Sequence, residues 1–222
     1  MRLGGTGATL LAFLIAGRGM LRADNAAPAQ PAARAFDHES DVGEVASAGA
    51  CKFDAASGVY RVTGGGENIW GQRDAFHFVW RKVEGDFSLS ANAHFVGERK
   101  NAHRKACLMV RQSLEPDAAY VDVAVHGDGL ISLQYRPKAG QKTEEIQSKL
   151  KNPAMVSLRR RGDQYTLTVM RASGEPQSVG AVSVTLRDPV YAGLAVSSNE
   201  RDRAETAVFE HVDFAPASGP RQ

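Results

Sequence analysis

Apolar and polar residues alternate with a period of two in short runs along most of the chain. This period is typical of β-strands that have one buried face and one polar face. No segment keeps the spacing of apolar positions that an amphipathic helix needs. The alternating runs predict strands at 45–53, 58–63, 74–82, 86–96, 103–113, 119–126, 130–136, 143–148, 154–161, 164–171, 179–187, 191–198 and 206–214.

Turn-forming residues separate these runs. The segments 84–86, 127–129 and 162–163 provide glycines, which adopt the positive φ angles of tight hairpin turns at little cost. Short strands joined by such turns are antiparallel, and antiparallel strands at this spacing form a sandwich or a barrel. The pattern therefore predicts an all-β domain, and we expect a sandwich of two sheets.

The alternation also assigns side chains to the two faces of each strand. In the strand predicted at 74–82, Phe76, Phe78 and Trp80 form the apolar face, which leaves His77 on the opposite face. The core positions of the next strands are Ala106, Leu108, Val110, Val121, Val123, Val125, Leu133 and Tyr135. If these strands are neighbours in one sheet, its outer surface carries a polar cluster of His77, Lys105, Arg111, Tyr120, Asp122, His126, Gln134 and Arg136.

Composition and the N-terminal pattern indicate an exported globular domain. The chain has 222 residues, and its net charge of +2 is too small to favour nucleic acid as a partner. The apolar run at 8–16 has the length of a signal-peptide core and is too short to span a bilayer easily, although an uncleaved N-terminal anchor is an alternative. We expect a secreted or periplasmic protein with no other transmembrane span. The predicted organisation is a signal peptide at 1–23, an Ala/Pro-rich disordered linker at 24–35, the β-sandwich at 36–216 and a tail at 217–222.

The two cysteines, Cys51 and Cys107, lie in apolar strand-like runs. Export would permit a disulfide between them, but two small buried hydrophobic side chains are the alternative. The cysteines lack partners for a zinc site, no loop has enough oxygen ligands for calcium, and the glycine run at 64–66 does not match a phosphate-binding pattern. The sequence therefore predicts no metal and no cofactor.

Three strings of the sequence carry a resemblance to a known group of domains. They are NIWGQRDAFHFVW at 68–80, HRKACLMVRQS at 103–113 and AYVDVAVHGDGLISLQYR at 119–136. Over residues 36–215 the chain resembles exported bacterial domains of the concanavalin-A-like lectin/glucanase superfamily. Similar domains also occur fused to TolB-type propellers. The resemblance implies a jelly-roll sandwich with ligands on the concave face of a curved sheet. It does not imply one activity, because the superfamily holds lectins, glycosidases, lyases and structural modules.

The predicted polar cluster has the residue types that recognise carbohydrate. Aromatic rings such as Tyr120 or Trp70 stack on sugar C–H faces, and planar polar side chains form paired hydrogen bonds with hydroxyl groups. Trp70 follows the glycine run, so its ring lies either at the edge of a cleft or in the core. The predicted ligand contacts are Trp70, His77, Lys105, Arg111, Tyr120, Asp122, Gln134 and Arg136, and the basic residues among them favour an anionic sugar. The alternative is a solvated face whose opposite charges pair across strands.

Catalysis is less well supported by the sequence. A glycosidase usually needs two carboxyl groups flanking the bond, and the ExDxxE motif of the superfamily's glucanases is absent. Asp122 is the one carboxylate of the predicted cluster, so an acid–base pair would combine it with His126 or with His77. We therefore expect a carbohydrate-binding module. The alternatives are a hydrolase or lyase that acts on glycosides at the same face, and a structural or protein-interaction module of the envelope.

Overall fold

The computed structural model describes residues 32–98 and 101–216, and this part of the chain contains β-strands and no helix. The predicted signal peptide at 1–23, most of the predicted linker and the tail at 217–222 lie outside the described residues. The strands are β1 (His38–Val42), β2 (Ala50–Asp54), β3 (Val59–Gly66), β4 (Ile69–Trp70), β5 (Arg73–Asp74), β6 (Phe76–Val83), β7 (Phe87–Phe95), β8 (Lys105–Arg111), β9 (Tyr120–His126), β10 (Ile131–Arg136), β11 (Glu144–Gln147), β12 (Met155–Arg161), β13 (Gln164–Met170), β14 (Pro176–Ser183), β15 (Val190–Ser197) and β16 (Glu200–Pro216).

Two seven-stranded antiparallel sheets form the sandwich. The first sheet has the strand order β1-β6-β15-β8-β9-β10-β11, and the second has the order β14-β13-β12-β7-β16-β3-β2. Strands β4 and β5 pair only with each other, as a small hairpin. The predicted all-β jelly-roll sandwich of two antiparallel sheets is confirmed.

Each predicted strand corresponds to a strand of the structure, and the predicted turns join them. Gly85, Gly129 and Gly162 have φ angles of 71°, 86° and 55°, as the turn positions require. The strands that the pattern did not predict are β1, β4 and β5. Strand β1 has the sequence HESDV, which is too polar to show alternation, and β4 and β5 have two residues each.

The main core lies between the two sheets. It contains Ala106, Leu108 and Val110 of β8, Val121 and Val123 of β9, and Leu133 of β10, with Val125 and Tyr135 packed against it. The face assignment for these three strands is therefore confirmed. These residues are among those that keep the sheets together, since burying one such aliphatic side chain contributes about 1.5–3 kcal/mol.

Strand β6 has the opposite orientation to the one predicted. Val79 belongs to the main core, whereas Phe76 and Phe78 belong to a second apolar cluster on the outer face of the first sheet. Both faces of β6 are buried over residues 76–79. The large aromatic residues Phe76 and Phe78 therefore do not show which face of the strand packs between the sheets. The prediction for this strand was wrong because the outer face has a core of its own.

Candidate functional site

The outer face of the first sheet, which points away from the main core, brings together the predicted polar residues of β8, β9 and β10. The strand register places Arg111 opposite Tyr120 and Lys105 opposite His126. It also places Tyr120 opposite Arg136 and Asp122 opposite Gln134. All the predicted cluster residues except His77 therefore share this face.

His77 lies on the other face, so the prediction that it joins the cluster was wrong. Its Nδ1 atom lies 2.8 Å from Oδ1 of Asp41, and its Nε2 atom lies 3.6 Å from Oε2 of Glu39. A Cβ atom on Gly64 of β3 would lie 2.9 Å from the His77 Cβ, which shows that the second sheet packs against this side chain. An acid–base pair of His77 and Asp122 is therefore excluded by the sheet between them.

The outer face is largely covered rather than solvated. Ile69 of the β4–β5 hairpin is buried in the second apolar cluster, and its carbonyl accepts a 2.7 Å hydrogen bond from the Lys105 Nζ. The segment that follows β8 covers the other end, where the Arg111 guanidinium donates to the carbonyls of Ser113 and Glu115, both at 2.6 Å. The alternative of a solvated face therefore does not apply to Lys105 and Arg111.

A buried ion cluster holds the hairpin to the sheet. Asp74 of β5 accepts two hydrogen bonds from Arg136, of 2.6 and 2.8 Å, and its Oδ2 lies 3.5 Å from Nη1 of Arg111. The side chains of all three residues are fully buried. The Arg136 guanidinium also donates to the carbonyl of Gly71 and lies 4.9 Å from the Tyr120 ring centroid. Arg111, Arg136 and Tyr120 therefore make internal contacts where ligand contacts were expected.

Asp122 lies at the centre of the outer face and is fully buried. Burial raises the pKa of this carboxyl to about 8, against the opposing influence of the nearby Lys105. Neither of its oxygen atoms has a conventional hydrogen-bond partner among the described residues. Asp122 and His126 are four residues apart on one strand, so their Cα atoms are about 13 Å apart. That distance does not suit the acid–base pair predicted for them.

The open part of the outer face is a cavity of about 350 Å³, which we call the Trp70 cleft. Its lining residues are Asn68, Trp70, His103, Lys105, His126, Leu130, Glu145, Gln147 and Asn199. Trp70 is 38% exposed, unlike most large apolar side chains in this part of the chain. The Lys105 ammonium lies 5.1 Å from the centroid of its ring. The Trp70 ring therefore lies at the edge of a cleft and not in the core, which were the two placements that the sequence allowed.

Glu145 is the acidic group of the Trp70 cleft. Although its partial burial acts to raise the pKa, hydrogen bonds to the carboxylate from Gln147 and Gln134 lower the pKa overall. The donor–acceptor distances are 2.7 Å for Gln147 and 3.3 Å for Gln134. The carboxylate is therefore ionised at neutral pH and has two amide groups beside it.

Two buried polar atoms at the cleft have no hydrogen-bond partner among residues 32–98 and 101–216. They are Nδ1 of His126 and Oδ1 of Asn199. Burial lowers the pKa of His126 to about 4, so its ring is neutral at physiological pH. The Nε2 atom of the ring lies 3.2 Å from the Ser132 hydroxyl. Buried polar groups rarely remain unpaired, so these two atoms are unusual features of the cleft wall.

The predicted site and the observed cleft overlap only in part. Trp70 and Lys105 line the cleft, as does His126, whereas Gln134 lies beside it. The sequence analysis missed Asn68, His103, Glu145, Gln147 and Asn199. Glu145 and Gln147 belong to the short edge strand β11, and no local sequence signal distinguishes them from ordinary solvated residues of an edge strand.

Other features of the described residues are simpler. Cys51 and Cys107 are free thiols, of which Cys107 is buried. No group of three or more metal-ligating side chains occurs within 32–98 and 101–216. The same residues include no helix that is long and apolar enough to cross a membrane.

Comparison with known proteins gives structural neighbours but no sequence relatives. No family model matches the chain, and no curated protein does either. A protein of unknown function from Saccharomyces cerevisiae matches with a TM-score of 0.61 and 15% identity, over 82% of this chain and 97% of that one. Lectin II from Ulex europaeus matches with a TM-score of 0.52 and 10% identity, over 83% and 95%.

A third neighbour is the protein GH43B of a Bacteroides ovatus xyloglucan PUL. It has a TM-score of 0.51 and 19% identity, and the match covers 72% of this chain and 33% of that one. At such identities the likeness concerns the fold alone. Together with the two-sheet topology, this likeness is consistent with a concanavalin-A-like fold.

Proposed function

We propose that this protein binds carbohydrate in the Trp70 cleft. The observation that carries the proposal is the exposed Trp70 ring at the edge of a cavity lined by amide, carboxylate and imidazole groups. An aromatic ring offers the apolar C–H face of a sugar a flat surface, and planar polar groups bind its hydroxyls. The cavity volume of about 350 Å³ is within the range of small-molecule sites. Concanavalin-A-like sandwiches include lectins, which agrees with this proposal.

The cleft suits a neutral sugar better than an anionic one. The anionic expectation depended on Lys105 and on the arginines of the outer face. Arg111 and Arg136 are buried beside Asp74, and Lys105 donates to the carbonyl of Ile69. Glu145 is ionised and would repel an anionic ligand in the cleft.

A glycan-array screen of the full chain tests this proposal. We expect binding to neutral glycans that is lost in Trp70→Ala and weakened in Gln147→Ala. Gln164→Ala is the matched control, because Gln164 is an exposed glutamine at the end of a strand in the other sheet. Absence of binding to every glycan, or equal binding by Trp70→Ala and wild type, would contradict the proposal.

A hydrolase or lyase that uses the same face is the second candidate function. It is favoured by two carboxyl groups on β9 and β11, the strands on either side of β10. Their pKa values move in opposite directions, that of Asp122 upward and that of Glu145 downward. The complete burial of Asp122 counts against it. Chromatography of the bound glycan after incubation with the protein distinguishes the candidates, since only an enzyme releases shorter products.

Export to the periplasm or the medium is also part of the proposal, as for the exported bacterial domains that the sequence resembles. It is supported by the apolar run at 8–16, which is outside the described residues. Expression in a bacterium with an intact secretion system should give a mature chain that begins near Asp24. Intact-mass measurement of the exported protein checks this, and a protein that keeps Met1 in the cytoplasmic fraction would contradict it.

A further inference from the structure

A second cavity, of about 460 Å³, lies beside the Trp70 cleft and shares Asn68 and Trp70 with it. Its other lining residues include Glu44 and Glu67 together with Arg73 and Arg201. We call it the hairpin groove, because Trp70 and Arg73 are paired residues of the β4–β5 hairpin. A ligand that extends from one cavity into the other has to pass the Trp70 ring.

The Trp70 ring is suited to contact such a ligand on both sides of the hairpin. The Lys105 ammonium, which lines the Trp70 cleft, lies over the ring at 5.1 Å from its centroid. The ring remains 38% exposed and also lines the hairpin groove. Because neighbouring Ile69 is buried and its carbonyl accepts from Lys105, the ring is carried by an anchored strand.

The charges of the hairpin groove balance once Asp74 is set aside, because this buried carboxylate is already paired with Arg111 and Arg136. Glu44 and Glu67 are acidic, whereas Arg73 and Arg201 are basic, and the Glu67 carboxylate lies 3.8 Å from the Arg201 guanidinium. A lining of mixed sign does not select a charged ligand, but its planar carboxylate and guanidinium groups can bind pairs of hydroxyls.

We propose that the two cavities form one binding site for an internal segment of a neutral oligosaccharide chain, with sugar rings on both sides of Trp70. This inference rests on the proposed carbohydrate-binding function and specifies its ligand class. Each cavity alone falls within the size range of a small-molecule site, so together they hold more than one sugar ring. A single terminal sugar would leave one of the two cavities unused.

Isothermal titration calorimetry with chains of different length tests the inference. The ligands are glucose, xylose and mannose, the corresponding cello-, xylo- and manno-hexaoses, and hexagalacturonate as an anionic chain. We expect one neutral hexaose to bind about 100-fold more tightly than its monosaccharide, since contacts in the two cavities are then linked in one molecule. This ratio exceeds the sixfold gain that the six equivalent rings of a hexaose give by statistics alone.

Substitutions in the hairpin groove separate its contribution from that of the Trp70 cleft. Arg73→Ala and Arg201→Ala should each weaken hexaose binding about tenfold and leave monosaccharide binding unchanged. Arg159→Ala is the matched control, because Arg159 is exposed on the second sheet. Arg73 and Arg201 are themselves exposed, so these variants should keep the wild-type fold and unfolding midpoint.

The outcomes distinguish this inference from the function on which it depends. A hexaose that binds no more than sixfold better than its monosaccharide, or unchanged hexaose binding by both groove variants, overturns the extended site and leaves carbohydrate binding intact. Preferential binding of hexagalacturonate overturns the neutral ligand class. No binding of any of these saccharides, together with a blank glycan array, overturns both proposals.

Discussion

Removal of the Asp74 carboxylate is expected to destabilise the protein strongly. This group is fully buried, and its two oxygens accept hydrogen bonds of 2.8 and 2.6 Å from Arg136, with Arg111 at 3.5 Å. Asp74→Ala therefore leaves two buried guanidinium groups without their counter-ion. Loss of one partner from a buried ion pair typically costs about 3–5 kcal/mol of unfolding free energy. We expect the loss of unfolding free energy to stay within this range. The backbone carbonyls that accept hydrogen bonds from Arg111 and Arg136 remain in the variant and still stabilise the two guanidinium groups.

Urea unfolding followed by circular dichroism measures this loss. The matched control is Lys151→Ala, which breaks an exposed pair with Asp128 at 3.8 Å and should cost less than about 1 kcal/mol. A double-mutant cycle of Asp74→Ala with Arg136→Ala isolates the pairwise coupling, which we expect to be about 1–3 kcal/mol. The denaturant dependence of the unfolding free energy should stay unchanged, so that the free energies are comparable.

The reasoning would be refuted by an Asp74→Ala variant that unfolds within about 1 kcal/mol of the wild type. That result would mean that water reaches the two guanidinium groups once the carboxylate is gone, and that the β4–β5 hairpin is not packed as tightly as its buried contacts indicate. A coupling near zero in the cycle would mean that Asp74 stabilises the protein through Arg111 alone.

Two further predictions concern groups on the sheets. Asp122 keeps its proton in the folded state up to about pH 8 but loses it near pH 4 when unfolded, so its contribution to stability falls by up to about 1.4 kcal/mol per pH unit between these values. Asp122→Asn should remove this slope, and urea unfolding from pH 5 to pH 9 would contradict the assignment if the two proteins kept a constant difference. Burial raises the pKa of the Cys51 thiol to about 11 and raises that of Cys107 as well, so neither thiol should react quickly with Ellman's reagent before unfolding, whereas both should be titrated in guanidinium chloride. Finding fewer than two thiols in denaturant would contradict the assignment of both cysteines as free thiols.

Periodicity predicted the sandwich well because each of its signals is local. The alternation in β8 and β9 follows from one face that packs on the other sheet, as Leu108 and Val123 do. The turn glycines act within a few residues of the chain, so their effect is also visible in the sequence. Strand β6 departs from this rule because its outer aromatic residues pack under a hairpin that has only two residues in each strand.

The candidate site was harder to predict because it depends on contacts between distant parts of the chain. Asp74 and Arg136 are 62 positions apart, and nothing near either residue indicates the other. Polar residues at alternate positions of a strand predict a face, but they do not show whether another segment covers that face. Glu145 and Gln147 are brought to the Trp70 cleft only by the pairing of β11 with β10.

The covered polar residues and the exposed Trp70 belong to one arrangement. A hairpin with two residues in each strand is not stable by itself, because it forms few hydrogen bonds and buries little surface. Here Lys105 binds the carbonyl that precedes Trp70, Arg136 binds that of Gly71 which follows it, and Asp74 attaches the second strand to the sheet. Lys105 and Arg136, which the alternation assigned to ligand binding, thus hold the Trp70 ring in place. This ring is the group that we propose to contact the carbohydrate ligand. The energetic cost of burying these charges is offset by their pairing. The result is an aromatic ring held at the edge of an open cleft, so that the protein loses little conformational entropy when a sugar chain binds.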